Sequence, residues 1–234
     1  MKTWTTSGNY KIIRVLSGWS NAFLLKNGKS TILIDTGPQF MWKTLQKRLK
    51  KLRIEHIDLL ILTHSHYDHA ANAHKIREKY NVRVIIHESE AKYLAAGDNI
   101  PPKGTTPLIN FMVRAFTGLF SASAGYQPCE PDYTMDNNYE LSNEGFNAYL
   151  MHTPGHTMGS LSLIIDNEIA LVGDAMFGIF LWSILPPFAS DKDQMINSWK
   201  KLLDANCKIF IPSHGTENKR SLVEKDYNKR KTAL

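Results

Sequence analysis

The chain has 234 residues, of which 43% are hydrophobic, and its formal net charge is +6. This length and composition suffice for a substantial core and predict a single α/β domain over residues 1–234. The two cysteines are too few for a disulfide framework, and no apolar stretch is long enough for a signal peptide or a membrane span, so we expect a cytoplasmic protein without a membrane partner.

The positive charge is concentrated in two stretches, residues 43–53 and 219–231. Both have helix-like spacing, and neither belongs to an aromatic-rich basic motif. Solvated helix faces explain this charge better than a nucleic-acid surface does. We therefore do not expect a nucleic-acid partner.

The first third of the chain predicts three strands, a helix and a buried strand. Short β-branched or apolar stretches separated by Gly18 and by Asn27-Gly28 are typical of a β-meander. Apolar residues at helical spacing follow, and then a nearly continuous apolar run typical of a strand covered on both faces. The ranges are 11–16, 22–26 and 30–34 for the meander, 39–52 for the helix and 57–62 for the buried strand.

The middle of the chain predicts a helix, a strand and a helix, followed by an irregular insertion. The helices span residues 70–80 and 88–96, with the strand at 82–86 between them. Residues 97–139 are rich in proline around an apolar, aromatic centre, which is typical of a packed lid. The alternative is an amphipathic helix over 108–120 that packs on the body of the protein or on a second subunit.

The last third returns to strands and ends in helices. Asp166-Asn167 lies between two apolar runs and predicts a hairpin turn. An aromatic, proline-rich stretch at 177–188 comes after this hairpin. The predicted strands are 146–151, 161–165, 169–172 and 208–211, and the predicted helices are 192–203 and a C-terminal segment.

The stretch Thr63–His69 directly follows the buried strand and contains His64, His66, Asp68 and His69. Imidazole nitrogens and carboxylate oxygens are ligands for zinc, iron and manganese. Burying so many of these groups is costly unless something neutralises the carboxylate and holds the rings. The stretch therefore predicts a metal site that needs further ligands from elsewhere.

Three further candidate ligands lie just beyond the ends of predicted strands: His156, Asp174 and His214. The ends of strands that share one sheet edge bring distant residues together. Taken alone, each such histidine is more often a capping or turn residue than a ligand. Together with Thr63–His69, they favour the convergence of four chain segments on one site.

Five motifs in the family's order resemble the metallo-β-lactamase superfamily over essentially the whole chain. They are Asp35-Thr36-Gly37, His64-x-His66-x-Asp68-His69, Gly155-His156-Thr157, Gly173-Asp174 and Ser213-His214-Gly215. The resemblance implies an αββα four-layer sandwich of two mixed β-sheets flanked by helices, with a two-metal site along one edge. With both aspartates and no export signal, the chain resembles the thioesterase and lactonase branches more than the true β-lactamases.

The resemblance also implies how the ligands are divided. One metal would be held by His64, His66 and His156, the other by Asp68, His69 and His214, and the two would be bridged by Asp174. Asp68 is also the candidate catalytic residue, because a carboxylate there could orient the nucleophile or relay its proton. Asp35 would brace the ligand loop rather than bind metal, with capping of the turn before Gly37 as the equal alternative.

The expected activity is hydrolysis, in which a hydroxide bridging two divalent metal ions attacks an ester, thioester, lactone or amide carbonyl. Zn²⁺ is the first expectation for both ions, with iron or manganese as alternatives. The substrate would be a small molecule, and the aromatic residues of 97–139 and 177–188, Trp182 among them, suggest an apolar wall for an acyl part. Two alternatives are a phosphodiesterase or nuclease on the same site and an iron-dependent oxidoreductase with oxygen or persulfide chemistry. A homo-oligomer is left open.

Some neighbouring residues have no assigned role. Nothing in the sequence points to a function for His56, His74 or His87. For His152 a substrate contact is conceivable, but a strand residue that points away from the site is the commoner case. Tyr67 either contacts the substrate or lines the wall of the site.

Overall fold

The computed structural model describes residues 1–99, 103–106, 111 and 125–231. Two mixed β-sheets lie face to face, and helices cover their outer faces. The αββα sandwich expected from the motifs is therefore confirmed. Within the predicted lid at 97–139, residues 100–102, 107–110 and 112–124 lie outside the described residues, and so does the alternative helix at 108–120 except for Phe111.

The first sheet has seven strands in sequential order. They are β1 (Thr3–Thr5), β2 (Lys11–Leu16), β3 (Ala22–Lys26), β4 (Thr31–Ile34), β5 (Leu59–Ile61), β6 (Arg83–His87) and β7 (Tyr133–Met135). Strands β1 to β4 pair antiparallel, and β4 to β7 pair parallel. The meander therefore leads into the parallel half, where β5 ends at the His-rich stretch.

The second sheet has six strands, in the order β13-β12-β11-β10-β9-β8. They are β8 (Tyr139–Glu140), β9 (Ala148–His152), β10 (Leu161–Ile165), β11 (Ile169–Gly173), β12 (Ile209–Pro212) and β13 (Asn218–Lys219). Strand β10 is antiparallel to both β9 and β11, and β11 is parallel to β12. Strands β9, β11 and β12 therefore run in the same direction and end at the same edge.

The helices of the described residues cover the sheets. They are α1 (Trp42–Lys51), α2 (Tyr67–Ala70), α3 (Ala73–Tyr80), α4 (Glu88–Ala96), α5 (Lys192–Asp204) and α6 (Arg220–Arg230), with a 3₁₀ turn at Gln39–Met41. In α1, Leu45 and Leu49 are buried while Lys43, Lys47 and Lys50 are exposed, as a helix with one apolar face requires. Within the described ranges, no helix is long and apolar enough to cross a bilayer.

The core has three layers, set by the alternation of side chains along the strands. On β3, Phe23 and Leu25 point between the sheets, where they meet residues such as Leu163 of β10. Leu24 points to the opposite face and packs with Leu45 of α1. A third layer lies between the second sheet and helices α5 and α6.

The structure departs from the predicted elements in two respects. The short strands β1, β7, β8 and β13 were not predicted. The helix predicted over 70–80 is interrupted, so that α2 and α3 are separated at Ala71 and Asn72. The Asn72 side chain donates to the carbonyl oxygens of Thr36, Gly37 and Pro38, at 2.9 to 3.2 Å. Asn72 thereby fastens the break to the loop after β4.

Replacing Trp199 should destabilise the fold strongly. Trp199 is fully buried between α5 and the second sheet, and its indole nitrogen donates to Ala175 O at 2.6 Å. We expect Trp199→Ala to lower the free energy of unfolding by about 3–5 kcal/mol, because it leaves a large cavity. Trp182→Ala, at a tryptophan that is 72% exposed, should change it by less than about 0.5 kcal/mol. Urea unfolding checks both, and equal losses would contradict the assignment of the core.

Candidate metal centre

All seven predicted site residues come together at one edge of the sandwich. His64 and His66 lie in the loop after β5, and Asp68 and His69 lie in α2. The other three, His156, Asp174 and His214, follow β9, β11 and β12, whose ends share an edge. Candidate ligand atoms lie within 4.8 Å of one another in three groups: His64, His66 and His156; His64, His69 and Asp174; and Asp68, His69 and His214.

The first ligand group is made of three imidazoles. His66 Nδ1 lies 3.0 Å from His64 Nε2 and 3.1 Å from His156 Nε2. His156 Nδ1 donates to Phe188 O at 2.9 Å, and His64 Nδ1 lies 3.1 Å from Thr63 Oγ1. Because Nδ1 of His156 carries the proton, its Nε2 presents a lone pair to the centre.

The second ligand group combines two imidazoles with a carboxylate. His214 Nε2 lies 3.3 Å from Asp68 Oδ2, and His69 Nε2 lies 3.6 Å from the same oxygen. His214 Nδ1 donates to Trp19 O at 2.8 Å. Asp68 and His214 are half-buried, whereas the first group is buried. Solvent therefore reaches the site on the side of the second group.

Asp174 lies between the two groups. Its Oδ2 is 3.4 Å from His156 Nε2 and 3.3 Å from His214 Nε2, and its Oδ1 is 3.5 Å from His69 Nε2. One carboxylate thus faces histidines of both groups. This is the position that a bridging ligand requires.

A cation fits the donors at this edge. His69 Nε2 and Asp174 Oδ1 are buried and have no hydrogen-bond partner. In the first group, a proton on His66 Nδ1 could satisfy only one of its two close nitrogen contacts, whereas a cation could accept every lone pair. The orphaned atoms and converging lone pairs therefore suit metal binding.

Asp35 braces the ligand loops. Its carboxylate accepts from Thr63 N at 2.9 Å, Thr63 Oγ1 at 2.9 Å and His69 Nδ1 at 2.9 Å. Because Nδ1 of His69 donates here, Nε2 is left to face Asp68 and Asp174. This is the orienting contact that metal-bound histidines commonly have.

The two groups differ in their electrostatics. Burial, followed by the neighbouring His156, lowers the pKa of His66 to about 3, and burial also lowers the pKa of His64. Burial alone would lower the pKa of His69 too, but Asp68, Asp174 and Asp35 outweigh it and raise that pKa to about 9. In the same way, Asp174 and Asp68 raise the pKa of His214 to about 11 against its burial.

The remaining histidines lie outside these groups. His87 and His152 stack on each other with ring centroids 4.0 Å apart, and His152 Nε2 donates to Met158 O at 2.8 Å. His56 lies 3.2 Å from Asp58, and His74 lies 3.2 Å from Glu78. His152 is thus occupied by protein contacts, in line with the commoner of its two interpretations.

Several bracing residues were missed from the sequence. Ser20 Oγ donates to Asp68 O at 2.5 Å, Tyr126 Oη donates to Ser65 O at 2.6 Å, and Glu90 accepts from Ser65 N at 3.0 Å. Glu90 had one usable signal, because it shares the buried face of α4 with Leu94 four residues later. A carboxylate on an apolar helix face needs partners.

Exposed apolar side chains lie in two chain segments that hydrogen-bond to His214: Trp19 O accepts from its Nδ1, and Gly178 N, two residues before Phe180, donates to its carbonyl oxygen. Trp19, whose carbonyl holds His214, packs edge-on against Phe40 with centroids 5.7 Å apart. Phe180 and Trp182 pack together at 5.5 Å, and Leu181 between them is 88% exposed. We call Trp19, Phe40, Phe180, Leu181 and Trp182 the apolar rim.

Comparison with known proteins identifies the family. The sequence profile of the metallo-β-lactamase superfamily matches residues 18–214. The chain belongs to this superfamily. The matched range includes every candidate ligand and Asp35. Membership supports a metal-dependent hydrolase.

Relatives and solved structures agree with this assignment. A probable metallo-hydrolase, MJ0888 of Methanocaldococcus jannaschii, is 30% identical, covering 85% of this chain and 89% of the relative. Hydroxyacylglutathione hydrolase GloC of Haemophilus influenzae is 27% identical over 89% of this chain and 91% of the relative. Acyl-coenzyme A thioesterase MBLAC2 of Homo sapiens is 26% identical over 71% of this chain and 62% of the relative. The structure of ST1585 from Sulfolobus tokodaii has a TM-score of 0.67 at 19% identity, over 93% of this chain and 85% of that one, and shows the shared fold.

Without metal, the folded protein should be most stable near pH 6.5. Below the ordinary pKa of 6.5, unfolding lets His64 and His66 take up protons that the folded chain excludes, so stability falls with decreasing pH. Above 6.5, folded His69 and His214 keep protons that the unfolded chain loses, so stability falls as the pH rises through about 9 and about 11.

Urea unfolding of chelator-treated protein, from about pH 5 to pH 10, checks this profile. Added zinc should remove the alkaline loss, because the metal replaces the protons on His69 and His214. A metal-free profile that rises continuously above pH 7 would contradict the ion pairing of the second group.

Proposed function

We propose that this chain is a two-metal hydrolase that cleaves a carbonyl bond, a thioester in the first instance, in a small molecule with an apolar acyl part. The observation that carries the proposal is the placement of Asp174 between the two ligand groups, within 3.5 Å of His69, His156 and His214. Such a carboxylate offsets the repulsion between two neighbouring cations. The separate groups of candidate ligand atoms on either side of Asp174 support two ions rather than one.

The ligand roles follow from the contacts. His64, His66 and His156 would hold one ion, Asp68, His69 and His214 the other, and Asp174 both. When bound, two divalent ions would lower the pKa of a water molecule and polarise a carbonyl oxygen. Zn²⁺ suits this set of nitrogen and carboxylate ligands, and iron and manganese share the preference.

Asp68 has a second proposed role, as the catalytic proton relay. Burial would raise its pKa, but His69 and His214 outweigh that effect and lower it to about 2, so the carboxylate is ionised at neutral pH. It is also on the half-buried side, where solvent reaches the site. An ionised carboxylate there can accept a hydrogen bond from a water molecule and orient it, and with so low a pKa it would hold a proton only briefly, as a relay does.

The preference for a thioester rests on the relatives and on the rim. Two of the relatives are named as a hydroxyacylglutathione hydrolase and an acyl-coenzyme A thioesterase. The apolar rim belongs to the two segments that hydrogen-bond to His214, and it exposes large side chains that a hydrocarbon chain could cover. The proposed compartment is the cytoplasm.

The two alternatives have less support. Excess positive charge would favour a phosphodiester substrate, but the basic residues of α1 and α6 lie on helices that cover the outer faces of the sheets. Iron-dependent redox chemistry would need the same ligands to select iron, and this donor set does not require that choice.

Metal content and turnover test the proposal together. Protein purified without added metal should contain about two zinc ions per chain and hydrolyse thioesters or lactones faster than phosphodiesters. His66→Ala should lower kcat/KM by more than about 100-fold, because even the outer partners of metal ligands are typically worth 10–100-fold. His56→Ala, at an exposed histidine outside the site, is the matched control and should keep full activity.

Two results would contradict the proposal of a carbonyl hydrolase. Phosphodiester turnover with silent carbonyl substrates would replace the proposal with the nuclease alternative. One iron ion per chain, with no hydrolysis of thioesters, lactones or phosphodiesters, would replace it with the redox alternative.

The apolar rim should select for acyl length. Trp182→Ala should raise KM for long-chain acyl thioesters by about tenfold, since covering a large apolar side chain is worth about 1.5–3 kcal/mol. The KM for an acetyl thioester should change less than about twofold, because a short acyl group does not reach the rim. Tyr133→Ala, at an exposed aromatic residue on the far strand β7, is the control. An equal rise in KM for acetyl and long acyl groups would contradict the assignment.

A further inference from the structure

Glu90 is a buried carboxylate that no step of the proposed reaction uses. It lies in the first turn of α4 and is 1% exposed. Across the described parts of the chain, no lysine, arginine or histidine side chain forms a salt bridge with it. A buried charge without an opposite charge is costly, so its position calls for an explanation.

The carboxylate of Glu90 joins two ligand loops. Oε2 accepts from Ser65 N at 3.0 Å and from Ser65 Oγ at 2.5 Å. Oε1 accepts from Gly159 N at 3.2 Å. Ser65 stands between His64 and His66, and Gly159 comes three residues after His156. One side chain therefore connects the two segments that carry the whole first ligand group.

The fit around this link is close. A Cβ at Gly159 would lie 2.5 Å from Glu90 Cγ and 2.6 Å from Ser89 Oγ, so a residue with a side chain would displace the carboxylate. On the other side, Tyr126 Oη donates to Ser65 O at 2.6 Å. Ser65 is thus held through its nitrogen, its hydroxyl and its carbonyl.

We propose that Glu90 is a positioning residue for the metal held by His64, His66 and His156. It fixes the spacing of the two loops, and its negative charge is offset by the cation that those histidines bind. The inference rests on the two-metal function proposed above. It goes further because it makes the affinity for one of the two metals depend on a residue that is not itself a ligand.

Glu90→Gln tests the inference with little change in shape. The side-chain amide keeps one acceptor, its carbonyl oxygen, but its NH2 group cannot accept a hydrogen bond, so one of the two loops loses its acceptor, and the charge is removed as well. We expect the dissociation constant of one zinc ion to rise at least about tenfold, and that of the other to change less than about threefold. Competition with a coloured chelator measures both, and the visible spectrum of the cobalt-loaded protein reports the changed ligand geometry.

Asp226→Asn is the matched control. Asp226 is also a buried carboxylate that accepts from Ser183 Oγ at 3.0 Å and Ile184 N at 2.9 Å; unlike Glu90, it also pairs with Arg230, whose Nε lies 3.0 Å from Oδ1. It too joins a loop to a helix, but it touches neither Ser65 nor Gly159. It should lower the thermal midpoint without changing either zinc affinity.

A double-mutant comparison locates the effect. In the His66→Ala background, where the first ligand group has lost one of its three imidazoles and should no longer hold its ion, Glu90→Gln should have no further effect on the remaining zinc ion. Gly159→Ala should weaken the same zinc ion as Glu90→Gln, because it displaces the carboxylate from the opposite side. This second variant keeps the test decisive if Glu90→Gln fails to fold.

Two results would overturn the inference. One is unchanged zinc affinity in Glu90→Gln and Gly159→Ala, with only the loss of thermal stability that Asp226→Asn shows. The other is equal weakening of both ions, which would persist in the His66→Ala background. Zinc affinities are measured without turnover, so an unmutated protein that binds zinc but hydrolyses nothing would contradict the proposed function and not this inference.

Discussion

The structure depends on the buried carboxylate of Asp35, which fixes the relative positions of chain segments that are far apart in sequence. A carboxylate can only accept hydrogen bonds, so every donor around it must point inward. Thr63 donates through its backbone and its hydroxyl, His69 donates through Nδ1, and Ser213 Oγ lies 3.4 Å away, beside His214. The left-handed backbone of Asp35, with φ of 58°, directs the side chain towards these partners just after β4. Once they are fixed, the imidazoles that follow Thr63 and Ser213 have few orientations left.

Much of the candidate site could be predicted because the ligands obey a simple rule of position. His156, Asp174 and His214 each follow a strand, and the shared direction of β9, β11 and β12 gathers them at one edge. The bracing residues obey no such rule. Glu90 accepts hydrogen bonds from Gly159, in the loop before β10, and from Ser65, beside His64. These two donors come together only after the sheets have packed. A pattern in sequence identifies groups that bind metal, but it does not identify which of the many polar residues hold those groups in place.

The same distinction separates the correct from the missed elements of the fold. Strands of five or six residues, such as β2 and β3, and the nine-residue α4 contain enough alternation or helical spacing to be recognised. The edge strands β8 and β13 have two residues each, too few for any period to show, and they exist because a neighbouring strand offers hydrogen bonds. The break between α2 and α3 is likewise set by distant carbonyls that the Asn72 side chain reaches.

The opposite electrostatics of the two ligand groups would let one edge of the proposed hydrolase serve both metal affinity and turnover. Buried neutral imidazoles with lowered pKa, such as His66, present lone pairs without first losing a proton, so that group is ready for a cation at neutral pH. In the second group, a cation must displace the protons that the carboxylates hold on His69 and His214. That group is also the half-buried one, and Trp19 of the apolar rim holds its His214. We infer that the buried first group, whose two loops Glu90 joins, would bind its ion more firmly, and that the ion of the second group would be the more exchangeable one, where the proposed hydrolysis needs access to solvent.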